Sequence, residues 1–361
     1  MISTRTPEAN RMKAAVLREF KCPLALEEVD RPVPGADEVL IQVEACGACH
    51  SDVHVADGDW TQFAKIVKMP VIPGHEIAGR VVEKGASDFA VGDRVGVPWL
   101  HWTCGECEFC REGSENLCIR QKITGVTVEG GYAEFVKAPA SHVVKIPDGL
   151  SATEAAPLFC AGLTVYRALK HAGALSGQRL AVFGAGGLGH LAIQMGRSFG
   201  AEVIAIDVSE EKLELARSVG AVQTLNANTA DVVKQFRRQG GAHVALVSTA
   251  AKTAYDTAFS CLRPTGTLLV VGLPAENISF APILMSAKEV RVQATAVGTR
   301  QDLKEVLSLA AAGKLRCQTV ERPLSEVNEV LDELRKGQVT GRIVLRPSPN
   351  LARDTGPAWQ S

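Results

Sequence analysis

LAVFGAGGLG, residues 180–189, is an apolar run that stops in glycines spaced G-x-G-x-x-G: Gly184, Gly186 and Gly189. A strand that ends in such a turn and feeds a helix is built to hold a dinucleotide. The first glycine permits the tight turn, the second lets the backbone approach a pyrophosphate, and the third lets helix and strand pack closely. The helix N-terminus adds N–H donors and partial positive charge; Gly187 and Leu188 complete the cradle. A lone glycine motif is weak evidence, so the surroundings decide. GHLAIQMGRSFG reads as the helix, and EVIAIDV as the next strand, ending in Asp207. An acid there accepts from the ribose hydroxyls and repels a 2′-phosphate, which favours NAD over NADP. Lys212 lies within reach of the same ribose. The plainer alternative is a structural turn followed by a surface acid.

Outward from this stretch, apolar strands alternate with helical segments from about residue 155 to 295: EEKLELARSVG, VALVST and TLLVVGL follow in turn. That alternation predicts a parallel sheet with crossover helices. Upstream, from about 12 to 150, short β-branched segments are broken by Gly and Pro: Val39–Val43, Ala78–Val82, Arg94–Val97 and Ala133–Val136. They predict antiparallel or barrel-like β structure. Downstream, DLKEVLSLAAAG and SEVNEVLDELRKG read as helices and GRIVLRP as a last strand, with Ser348–Ser361 a frayed tail. The fold class expected is therefore α/β in two domains.

Composition narrows the function classes. The 361 residues are 46% hydrophobic and 22% charged, with net charge -1, as in ordinary globular chains. No basic stripe favours nucleic acid or an anionic membrane. No apolar run approaches the roughly 20 residues of a membrane helix. The N-terminus lacks a secretory pattern, so a cytoplasmic location is expected.

Ten cysteines in such a chain point to metal rather than to a disulfide framework. Cys104, Cys107, Cys110 and Cys118 form C-x2-C-x2-C-x7-C, a closed thiolate shell suited to a structural zinc. A ferredoxin-type cluster would need a different ending, while disulfides in an oxidising compartment remain an alternative. Cys49 in G-A-C-H-S-D, His75 in G-H-E and Cys160 in L-F-C-A-G are further potential ligands. Spacing alone does not unite them, and a cysteine in an apolar segment more often packs than ligates.

Taken together and in this order, Cys49-His50-Ser51-Asp52, Gly74-His75-Glu76, the four-cysteine lobe, L-F-C-A-G-L-T-V-Y and G-A-G-G-L-G resemble the zinc-containing alcohol dehydrogenases. These belong to the medium-chain dehydrogenase/reductase superfamily, and the likeness runs from about residue 12 to 346. H-S-D-V-H-x-x-x-G-D-W at residues 50–60 is similar to the bacterial and yeast-type enzymes acting on primary alcohols. The resemblance implies a GroES-like β-rich catalytic domain (1–157 and 297–361) and a Rossmann NAD-binding domain (158–296). It also implies two zinc ions per chain. The catalytic one falls to Cys49, His75 and Cys160, with Glu76 behind the metal and Asp52 holding the ring of His75. The four-cysteine lobe takes the other.

By the same likeness, Ser51 and His54 pass a proton towards solvent, lying on one face of a helical turn. His50 and Arg342 contact the cofactor pyrophosphate, Thr164 lies near the nicotinamide, and Trp60 and Trp99 line the substrate pocket. The plainer readings are a bystander His54, a solvated Arg342 and core tryptophans. Ala296 departs from the yeast type, where tyrosine is usual, so longer or aromatic alcohols are expected to fit. The partners expected are a small alcohol or aldehyde and, by resemblance, further copies in a homotetramer. Cys22, Cys46, Cys261 and Cys317 receive no role. A secondary-alcohol or polyol dehydrogenase, or a non-catalytic NAD-binding relative, is the rival; the intact Cys160 and full ligand set argue against both.

Overall fold

The computed structural model describes residues 10–173 and 175–348. Of the expected tail, only Ser348 lies among them. The chain divides into two compact units. One comprises the residues up to Cys160, Thr299–Ala311 and those from Gln318 on; the other comprises Ala161–Gly298 and Ala312–Cys317.

The first unit is built on a seven-stranded sheet. Its strands run in the order Thr319–Pro323, Arg342–Arg346, Glu38–Gly47, Glu76–Lys84, Arg94–Val97, Val144–Lys145, with Phe135–Pro139 also on Glu38–Gly47. All pairings are antiparallel except Thr319–Pro323 with Arg342–Arg346, which is parallel. Alternating Val, Ile and Leu send one face inward, so Val39, Ile41, Val43, Ile77, Val81, Val95, Val97 and Val136 share one core. At the end of Glu38–Gly47, Val43 pairs with Gly79 but Ala45 with Ala78. That bulge resets the alternation and brings Gly47 opposite Glu76.

The second unit holds a six-stranded, all-parallel sheet. Its order is Gln223–Asn226, Glu202–Asp207, Arg179–Phe183, Ala242–Val247, Leu262–Val270, Arg291–Ala294. Numbered along the chain this is 3-2-1-4-5-6, the doubly wound order of a Rossmann domain. Its central strands are buried on both faces and read as continuous apolar runs. The two outermost strands carry few buried side chains, and their sequences, QTLN and RVQA, give no apolar signal.

Candidate metal centre and nucleotide turn

Cys49 ends the strand-to-helix turn before helix His50–Asp57, His75 and Glu76 open strand Glu76–Lys84, and Cys160 follows the turn Ala156–Phe159. The first unit brings all four together: one ligand atom from each lies within 4.8 Å of the others, and all four are buried. Asp52 Oδ1 lies 3.0 Å from His75 Nδ1, which donates to it and leaves Nε2 as the nitrogen available to a metal. That Nε2, and Glu76 Oε2, are buried with no hydrogen-bond partner. Orphaned buried polar atoms are costly, and here they converge with two thiols. A Cys₂His set of this kind fits zinc with its fourth position open. Cys46 stays outside the cluster, its thiol 3.9 Å from the Gly47 carbonyl oxygen.

The electrostatics agree. The hydrogen bond from Cys160, with help from His75, holds the Cys49 thiol well below its ordinary range. That same bond, with burial, pushes Cys160 up. Burial opposes a charged His75, but Asp52 outweighs it and the ring is raised. Burial lifts Glu76 to about 7 against the pull of Arg342. A divalent cation would relieve this crowding of anionic donors.

Arg342 is a buried partner, not a solvated charge: at 4% exposure, its Nη2 donates to Glu76 Oε1 at 2.5 Å. The sequence reading also passed over Tyr132, whose hydroxyl donates to Asp52 Oδ2 at 2.8 Å, and Gly47. Neither carries a motif. Their contacts arise from residues far apart in the chain.

In the lobe, Cys104, Cys107, Cys110 and Cys118 likewise bring their sulfurs within 4.8 Å of one another. The backbone N–H groups of Cys107 and Cys104 donate to Cys104 Sγ and Cys118 Sγ, each at 3.4 Å. N–H donors of this sort stabilise thiolate. The Glu106 N–H leads in lowering Cys104 to about 5.

In the second unit, Gly184 takes φ +89°, and a Cβ on Gly189 would lie 1.8 Å from the Gly184 carbonyl oxygen. Only glycine fits either place. Gly186, Gly187 and Leu188 link them ahead of helix Gly189–Ser198. Asp207, at the end of its strand, accepts from Ala185 N at 2.7 Å and from Val208 N and Ser209 N at 2.7 and 3.0 Å. It therefore also fixes the turn. Lys212 lies in helix Glu210–Ser218, and Thr164, 9% exposed, in helix Ala161–Ala172.

Residues 35–148 match the family model of the alcohol dehydrogenase GroES-like domain, and residues 187–312 that of the zinc-binding dehydrogenases. Two alcohol dehydrogenases of Geobacillus stearothermophilus are 45% and 47% identical over 338 residues, covering 93% of this chain and 99% of theirs. The crystal structure of the alcohol dehydrogenase from Aeropyrum pernix superposes with a TM-score of 0.87 at 36% identity, over 93% of this chain and 100% of that one. The chain belongs to the zinc-containing alcohol dehydrogenases. It is a zinc-dependent alcohol dehydrogenase of the medium-chain dehydrogenase/reductase superfamily, using a nicotinamide dinucleotide.

In this dehydrogenase a chain of rings leads away from His75. Trp99 meets the His75 ring edge-on at 4.8 Å, stacks on Phe63 at 5.7 Å, and Phe63 meets Trp60 edge-on at 5.7 Å. Trp60 in turn stacks on His54 at 4.2 Å. Phe63, absent from the sequence reading, joins the two tryptophans. Helix His50–Asp57 carries His50, Ser51, Asp52 and His54. His54 is only 8% exposed, which excludes a solvated bystander, and its Nδ1 lies 2.8 Å from Asp59 Oδ2. Asp59 is 34% exposed and touches solvent.

Proposed function

We propose that the enzyme oxidises primary alcohols to aldehydes with NAD, holding one zinc at Cys49, His75 and Cys160 and a second in the four-cysteine lobe. The observation that carries this reading is the buried, unpartnered His75 Nε2 converging with two thiols beside an aromatic wall. When bound, zinc supplies an open Lewis-acid position that lowers the pKa of a hydroxyl towards 7.

The chain's own residues do the rest. Asp52 fixes the His75 ring, while Glu76 and Arg342 form a neutralised pair beside the ligands. Trp99, Phe63 and Trp60 exclude water and crowd a branched carbon, which supports primary over secondary alcohols. Ala296 supports longer or aromatic members of that class. Ser51 takes the proton from the substrate side, and His54, oriented by Asp59, delivers it to solvent. His50 and Arg342 are assigned to the pyrophosphate and Thr164 to the nicotinamide. The turn Gly184–Gly189 holds the dinucleotide, while Asp207 with Lys212 selects NAD at the ribose. Family likeness supports a cytoplasmic homotetramer.

The test is cofactor reduction, followed by absorbance, with NAD or NADP and alcohols from ethanol to benzyl alcohol and 2-propanol, alongside metal analysis. NAD-linked turnover of the primary series, two zinc per chain, and loss of one zinc with all activity in Cys160→Ser are expected. Equal rates with 2-propanol would refute the primary-alcohol assignment, and an Asp207→Asn variant with unchanged cofactor preference would remove Asp207 from the ribose site.

A further inference from the structure

The Asp52 carboxylate has three anchors. Oδ1 accepts from His75 Nδ1 at 3.0 Å, while Oδ2 accepts from the Cys49 backbone N–H at 2.9 Å and from the Tyr132 hydroxyl at 2.8 Å. One side chain thus ties together two candidate ligands, Cys49 and His75, from separate segments of the first unit, and the phenol is the anchor that comes from neither ligand's segment.

Tyr132 is held for that contact by main chain. It is fully buried. Gly130 N, Tyr132 N and Gly131 N donate to the carbonyls of Ile72, Pro73 and Gly74 at 2.6, 3.0 and 2.8 Å, so the run lies against the segment that ends in His75. On its other side Ala15 N donates to the Tyr132 carbonyl at 2.8 Å. The fit leaves no room for side chains. A Cβ on Gly74, at φ +92°, would stand 2.5 Å from Tyr132 Cδ1. One on Gly130 would meet the Gly74 carbonyl oxygen at 2.3 Å, and one on Gly131 would meet Ile77 Cγ1 at 2.4 Å. Gly74 therefore clears the place that the ring occupies, and Gly130 and Gly131 let the Tyr132 run lie close against its neighbours.

We infer that Tyr132 is a positioning residue for the metal centre: its hydroxyl fixes the plane of the Asp52 carboxylate, and through it the aim of the His75 ring at the metal. The inference rests on the assignment of a metal to Cys49, His75 and Cys160. Outer hydrogen bonds of this kind orient a ligating imidazole, and their loss costs roughly 10–100-fold in metal affinity. A tyrosine that only filled the core would leave the metal's ligand field alone when its oxygen is removed.

The experiment uses the full-length chain with cobalt(II) exchanged into the catalytic position. Wild type, Tyr132→Phe, Asp52→Asn and the double variant are compared by cobalt absorption and by the rate of cobalt loss to a chelator. Tyr132→Phe is expected to shift the ligand-field bands and speed cobalt loss about tenfold, leaving the lobe metal in place. In the Asp52→Asn background it is expected to add nothing, since the phenol acts through Asp52. Replacing all three tyrosines by fluorotyrosine, a stronger donor of nearly the same shape, is expected to slow cobalt loss; this serves if Tyr132→Phe folds poorly. A Tyr132→Phe protein with wild-type bands and loss rate, or effects that add in full to those of Asp52→Asn, would overturn the inference. Cobalt bands that survive in Cys160→Ser would overturn the metal assignment itself, and this inference with it.

Discussion

Gly47 and Glu76 stand directly opposite each other in the antiparallel register of their strands, and a Cβ on Gly47 would lie 1.9 Å from Glu76 Oε2. Glycine at 47 is thus the condition for a buried carboxylate beside Cys49, His75 and Cys160. Gly47→Ala is expected to displace that carboxylate from Arg342. Overpacking costs about 1–3 kcal/mol, and breaking a buried ion pair adds about 3–5 kcal/mol. Thermal unfolding and zinc content report both effects; a variant as stable and as zinc-replete as wild type would show that the carboxylate has another place to go.

Phe63 joins Trp60 and Trp99 without touching a metal ligand in the ring contacts described. Phe63→Ala is expected to open the wall and raise kcat/KM for 2-propanol relative to ethanol about tenfold, within the roughly 1–3 kcal/mol that one carbon commands in such a pocket. Steady-state kinetics with both alcohols decide it. An unchanged ratio would place the selective surface elsewhere.

The lobe is tied to the rest of its unit through Glu115, which accepts from Arg300 N, Nε and Nη2 at 2.9, 2.9 and 2.6 Å. Cys110→Ser is expected to release the lobe zinc while the other zinc and the initial rate at low temperature persist. Hydrogen exchange should rise at Arg300, because the scaffold that presents Glu115 is gone. Loss of both metals together would show that the two sites fold as one.

Two histidines of the first unit predict acid sensitivity. Burial, with each cationic neighbour's charge, holds His101 and His142 at about 4. Thr124 faces His101, at 3.4 Å from its Nδ1. Thr103 and Ser141 contact His142 at 3.0 and 2.9 Å, and the charges of Arg300 and Glu115 act on it. The unfolded chain takes up these protons near pH 6.5 and the folded chain only near 4. Stability is therefore full above 6.5 and falls as pH drops towards 4, by about 1.4 kcal/mol per pH unit for each histidine. Melting temperature against pH should be flatter over this window in His142→Gln. An equal slope would exonerate His142.

The amino-acid sequence by itself determined the parts whose physics is local. G-A-G-G-L-G needs glycine wherever a strand turns into a phosphate-facing helix, and four cysteines in one short loop can close on a metal with little help from the rest of the chain. The central parallel strands follow from continuous apolar runs. The edge strands Gln223–Asn226 and Arg291–Ala294 escaped, because strands with so few buried side chains show no apolar pattern. For the candidate metal centre the family resemblance implied the ligand set, and tertiary structure decided how its parts meet. Cys49, His75 and Cys160 meet only once the sheet is formed; the bulge after Val43 brings Gly47 opposite Glu76. The same closure brings Arg342 to Glu76, Tyr132 to Asp52, and Phe63 between two tryptophans. Such contacts join residues far apart in sequence, and register and packing fix them, so local residue spacing carries no trace of them.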